Sequence, residues 1–206
     1  ELPASLPDDL ELTCYALQAK ARANPGEALQ EARPLWFVWR ELPDNCTPLI
    51  KSLAAAGQLS EEDVWSRVRL SLEVGQTNMA WRVGTFLPPG AGPELRTLML
   101  VSSNPAGYLD KHVDLKTRAL RETAMFAVYR LARSSPSQAA GYWARLESRF
   151  SEDDRSYVWG QVAYFAAMRH DPAALEWYAK ARDLSDVQLA WKVRAALLAR
   201  SWKDVL

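Results

Sequence analysis

The stretch Ser60–Pro89, SEEDVWSRVRLSLEVGQTNMAWRVGTFLPP, constrains the fold more than any other part of the chain. Ser60 followed three residues later by Asp63 has the pattern of a capping box, in which each side chain satisfies a backbone amide at the start of a helix. Glu61, Glu62 and Asp63 place negative charge at the positive end of the helix dipole. Trp65, Val68 and Leu72 recur at i, i+3 and i+7 and so share one face. Gly75 can take the left-handed conformation that closes a helix. Thr77 opens a second helix carrying Met79, Trp81, Val83 and Phe86, and Pro88-Pro89 stops it. Neither rod can bury its apolar face alone. A hairpin of about 30 residues therefore has to stack on neighbours of the same kind.

The same grammar recurs along the chain. A first helix is expected from Asp8 to Arg22, with Leu10, Leu12, Tyr15, Leu17 and Ala19 as its apolar set. Asn24-Pro25 is a cap followed by proline at the first helical position. Helix two is expected to run to Glu41, kinked or broken at Pro34. Leu42-Pro43-Asp44-Asn45 is a turn, Thr47-Pro48 opens a third helix, and Gly57 closes it. Gly90-Ala91-Gly92-Pro93 is the most flexible joint. A short helix over Pro93–Ser103 and a helical turn at Tyr108-Leu109 follow. The helix Asp114–Arg133 is expected to be the longest. Ser134-Ser135-Pro136 caps a helix with Tyr142, Trp143 and Leu146. Ser151-Glu152-Asp153-Asp154 starts another, apolar on two faces and so sandwiched between neighbours. Asp171-Pro172 and Ser185-Asp186 start the last two full helices, and Ser201 a stub. No window alternates with period two for long enough to make a strand. The reading is all-α: a right-handed α-solenoid, or superhelix, of antiparallel helical hairpins joined by short turns, with stacking like that of tetratricopeptide repeats. The tryptophans fit this. Trp65 and Trp81 are 16 positions apart, and Trp143, Trp159, Trp177 and Trp191 follow at intervals of 16, 18 and 14, close to one per helix and turn.

Lys plus Arg equals Asp plus Glu, 25 against 25, so no net field draws the chain to nucleic acid or anionic lipid. No apolar run reaches the roughly 18 residues of a membrane span; the densest cluster is Leu35-Trp36-Phe37-Val38-Trp39. Cys14 and Cys46 lie 32 positions apart. Bridged, they place the protein in an oxidising compartment; free, they are two buried thiols of a cytosolic helical protein, and spacing alone leaves both open.

Nine tryptophans invite a carbohydrate-stacking reading, but their regular spacing favours core packing. Trp36 and Trp39, flanking Phe37, are the ones expected to be partly exposed. Glu61-Glu62-Asp63 and Glu152-Asp153-Asp154 have the composition of paired acid/base carboxylates, yet their place at helix starts accounts for them. His112 and His170 stand in no metal-ligand spacing. Arg118, Arg121, Arg130, Arg133, Arg145 and Arg149 read as solvated faces or ion-pair partners. No nucleophile motif, phosphate loop, cofactor fingerprint or metal cluster is evident, so no catalytic, cofactor or metal residue is assigned.

CYALQAKARANPGEALQEARPLW, followed by LPDNCTPLIKSLAAAGQLSEEDVWSRVRLSLEVGQTNMAW, resembles the superhelical, non-catalytic domain of the soluble lytic transglycosylases of Gram-negative bacteria. The resemblance is specific from Cys14 to Trp81 and includes the A-x-G ending at Gly57 and the R-x-R-L of Arg67 to Leu70. Beyond Trp81 it rests on helical pattern. It implies a Cys14–Cys46 disulfide, a periplasmic location and a single superhelical stack over 1–206. It also implies a lysozyme-like catalytic domain, expected C-terminal to Leu206. The family cleaves the β-1,4 bond between N-acetylmuramic acid and N-acetylglucosamine, leaving a 1,6-anhydro product, with one glutamate as acid then base and no cofactor. The E-S-x-[WY] and G-L-M-Q-[IL] motifs around that glutamate are absent, so no catalytic residue carries over.

The expectation is thus an excised scaffold, inert alone, whose partners are its own catalytic domain and, through the intact enzyme, peptidoglycan glycan strands. The opening at Glu1 without Met and the ending just after a helix start fit a piece of a longer protein. An exposed last repeat predicts self-association through the helices around Trp191 and Trp202. The competing reading is a tetratricopeptide-like adaptor gripping a partner peptide; a stand-alone glycosidase would need two carboxylates facing one cleft.

Overall fold

The computed structural model describes residues 9–37, 43–111 and 113–201, and among them all regular structure is helical. The chain divides into two compact units, Glu1–Gly92 and Pro93–Leu206.

In the first unit, α1 (Leu10–Ala23) starts where the Asp9 carboxylate accepts from the amides of Glu11 and Leu12, each at 3.0 Å. Its buried residues are Cys14 and Leu17, whereas Leu12 and Tyr15 of the expected apolar set are exposed, Leu12 by 65%. Periodicity marks which residues share a face; a covering neighbour decides which face is dry, and here α1 packs on α2 and on the turn holding Cys46. Helix α2 (Pro25–Ala32) ends two residues before Pro34, and Arg33–Phe37 tightens into a 3₁₀ turn. Proline lacks the amide a continuing helix needs and its ring crowds the carbonyl one turn back. The remainder of the expected helix two lies outside the described residues. A 3₁₀ turn at Asp44–Cys46 leads into α3 (Thr47–Ala55), which Gly57 closes at φ 67°.

Helix α4 (Glu61–Glu73) carries the expected capping box: the Ser60 amide donates to Asp63 Oδ2 at 3.0 Å, and the Asp63 amide donates to Ser60 Oγ at 3.1 Å. Trp65, Val68 and Leu72 are buried together, and Gly75 turns the chain at φ 81°. Helix α5 (Thr77–Gly84) packs along α4. It stops before Phe86, because the amides of Thr85, Phe86 and Leu87 bond three residues back rather than four.

In the second unit, α6 (Leu95–Ser103) and the single turn α7 (Pro105–Leu109) meet at Asn104, whose Oδ1 accepts from the Gly107 amide at 2.9 Å. Helix α8 (Arg118–Ala132) begins after its cap Thr117, not at Asp114. The Asp114 carboxylate accepts from the Lys116 amide two residues on, a local bond that competes with the helix. With 15 residues α8 is shorter than the 17 of α10 (Glu152–Met168), which follows α9 (Pro136–Leu146) and a 3₁₀ turn, Glu147–Arg149. Helix α10 packs against α8, α9, α11 (Ala174–Tyr178) and α12 (Asp186–Leu198). It buries Val158, Trp159, Val162, Ala163, Ala166 and Ala167 around most of its circumference. The two-faced helix of the sequence is therefore the hub of this unit. The Asp171 carboxylate accepts from the Ala173 amide at 2.9 Å just ahead of a helix of only five residues. Ser185 and Gln188 form a second reciprocal capping box.

Candidate functional site

Cys14 on α1 and Cys46, just ahead of α3, are joined by a disulfide with Cα atoms 5.1 Å apart, and both are buried. Hydrogen bonds reinforce the junction. Asn45 Nδ2 donates to the Glu11 carbonyl at 2.9 Å, and Gln18 Nε2 donates to the Asn45 carbonyl. The turn before α3 is thus sewn to α1 by one covalent and two polar links.

That turn forms one wall of a cavity of about 230 Å³. Asp44, Thr47 and Ile50 line it on the α3 side, Trp36 and Arg67 form its floor, and Met79, Arg82 and Phe86 face them from α5 and its end. Trp36 Nε1 donates to the Asp63 carbonyl at 2.9 Å, and the ring meets Phe86 edge-on, centroids 5.5 Å apart. Arg67 lies with its guanidinium carbon 5.2 Å from the Trp36 ring centroid, and Nη1 donates to the Trp36 carbonyl. Only 4% of Arg67 is exposed. Burial pushes its guanidinium down to about 10, so it keeps its charge at neutral pH. An aromatic and apolar wall of this kind suits a small ligand with an apolar face.

Trp36, expected to be partly exposed, is 1% exposed, because the chain folds α4 across it. Trp39 lies outside the described residues. Trp81, expected in the core, is 41% exposed. Trp65, Trp143, Trp159 and Trp177 are buried as the stacking argument requires, and Trp191 is half-buried beneath Arg194. The acidic clusters sit at the starts of α4 and α10, where Asp63 and Asp154 meet the capping serines. His170 follows the end of α10 with φ 56°; His112 and Trp202 lie outside the described residues. Of the arginines, Arg118 pairs with Glu122, Arg130 Nη2 donates to the Ser102 carbonyl, and Arg145 covers the Tyr142 ring. Among the described residues no group of three or more His, Cys, Asp or Glu could hold a metal ion, and no helix is long and apolar enough to cross a membrane. The buried Arg67 was not foreseen as a floor. The signal was present: it shares a face with Val64, Val68 and Ser71, all buried.

No family model matches the chain, and no curated protein matches it in sequence. Among solved structures, an inactive mutant of the lytic transglycosylase Slt from Pseudomonas aeruginosa superposes with a TM-score of 0.71 at 25% identity, over 96% of this chain. The chain has a lytic transglycosylase-like helical fold. It spans about a third, 33%, of the length of that protein. The likeness takes in the second unit as well as the Cys14–Trp81 stretch whose residues carry the resemblance.

Proposed function

We propose that the chain is the non-catalytic helical scaffold of a periplasmic lytic transglycosylase. In this reading the hairpins stack in the manner of an α-solenoid, and a catalytic domain follows Leu206 in the full-length protein. The scaffold holds that domain and shapes the access of peptidoglycan strands, and the enzyme cleaves the bond between N-acetylmuramic acid and N-acetylglucosamine to a 1,6-anhydro end. The observation that carries the reading is the likeness to Slt over 96% of the chain. The Cys14–Cys46 disulfide supports an oxidising compartment and counts against a cytosolic adaptor. The aromatic cavity over Arg67 is the place in the first unit best suited to contact a ligand. Incubating the purified 206-residue chain with peptidoglycan sacculi tests the assignment. It should sediment with sacculi and release no anhydro-muropeptides. Release of such products would overturn the scaffold role, and two reactive thiols in natively isolated protein would overturn the compartment.

A further inference from the structure

We propose that a cleft in the second unit, of about 500 Å³, binds a short peptide carrying both a free carboxylate and a free amino group. It lies between the Glu147–Arg149 turn, the first two turns of α10 and the Lys180–Arg182 segment after α11. Its size falls within the range of pockets that enclose small ligands.

The floor is fixed. Ser156, nearly buried, accepts from the Arg182 amide at 2.6 Å and donates to the Arg182 carbonyl at 2.9 Å, so one serine ties the segment after α11 to α10 by its backbone alone. Trp159 Nε1 donates to Glu147 Oε2 at 2.6 Å, which orients that carboxylate but leaves it further acceptor capacity. Lys180 Nζ stands 4.3 Å above the Trp159 ring.

The charges decide the ligand. Glu147 and Glu152 line it from the turn before α10 and the start of α10, Arg155 from α10, and Lys180 and Arg182 from the segment after α11, where Lys180 also pairs with Glu176 at 3.6 Å. A polyanion would meet two carboxylates and a polycation three cations. A glycan would find the Trp159 face taken, since that ring is 2% exposed beneath Lys180. A zwitterion satisfies both signs. Glu152 and Arg182 pair across the rim with both side chains more than half exposed. A pair so open to water holds its partners weakly and can exchange them for ligand groups of the same sign. The inference stands on the charges of this cleft and goes beyond the cell-wall reading.

The test titrates the ¹⁵N-labelled 206-residue chain with the tripeptide Gly-Lys-Glu, using acetyl-Gly-Gln-Gln-amide as the neutral control, and follows the Trp159 indole N–H resonance. The expected result is a saturable shift with the charged peptide at a dissociation constant of about 1 mM or below. Arg182→Ala and Glu152→Gln should each weaken binding by roughly fivefold. Neither removes the Ser156 backbone bonds, so both should keep the wild-type fold, checked by circular dichroism. No saturable shift up to about 10 mM, equal binding of the neutral peptide, or unchanged affinity in both variants would overturn the proposal.

Discussion

Ser60 and Asp63 each satisfy a backbone amide that the first turn of α4 leaves without a helical partner. The bond from the Ser60 amide is the largest influence holding the Asp63 carboxyl below its usual 3.8; burial opposes it, and the Ser60 hydroxyl and the Arg33 cation add to it. A carboxyl depressed in the folded state contributes stability that is present above its unfolded value and lost as pH falls through the folded one. Thermal unfolding followed against pH should therefore show an acid-dependent loss beginning below about pH 4, smaller in Asp63→Asn, which keeps the acceptor and removes the charge. An identical acid profile in the variant would rule Asp63 out as the source. Ser60→Ala should lower the unfolding free energy in urea by about 0.5–2 kcal/mol. These caps were legible because the chemistry is local: three residues settle it. Trp36 and Trp81 were not, because the fate of an indole depends on which distant helix crosses it, and α4 crosses Trp36 while nothing comparable covers Trp81.

Helices show the same division between local signal and tertiary choice. The apolar surface around α10 was readable as two faces, and four neighbouring helices occupy it. On α1 the pattern names Leu12, Tyr15 and Leu17 alike, yet of these only Leu17 is buried, on the side where Cys14 is held by the disulfide. Helix α12 shows an unresolved case of the same kind. Ala196 is its buried residue, while Leu189, Val193 and Leu197, spaced one turn apart, are exposed together with Val187 and Leu198. An exposed apolar stripe of this kind is a surface that a partner can cover, and a second copy of the chain presents the same stripe. Sedimentation velocity should show concentration-dependent self-association that Leu189→Glu combined with Leu197→Glu abolishes. A monomer at high concentration in the parent chain would show that α12 tolerates water as it is.

At the scale of the molecule, the helical class followed from periodicity and turn chemistry, and the likeness to Slt follows the chain over nearly its whole length. The burial of Arg67 has a local signal in the face it shares with Val64, Val68 and Ser71, but the Trp36 ring beneath it and the mixed-charge cleft over Trp159 are assembled from separate segments and are not legible in the sequence. The Cys14–Cys46 bond belongs wholly to the first unit, 1–92. In the chain-entropy account, closing a loop of that separation stabilises by about 3–4 kcal/mol, a large share of what a domain has to lose. That contribution falls on the turn before α3 and hence on the cavity wall formed by Asp44, Thr47 and Ile50. The second unit has its own hub in α10 and contains no cysteine. Reduction with a thiol should therefore act unequally. Hydrogen exchange by mass spectrometry should show protection falling in α1, α3 and α4 while α8 and α10 keep theirs. Uniform loss across both units would mean that the staple supports the whole chain, and unchanged protection in α1 and α3 would mean that hydrogen bonds from Asn45 and Gln18 suffice without it.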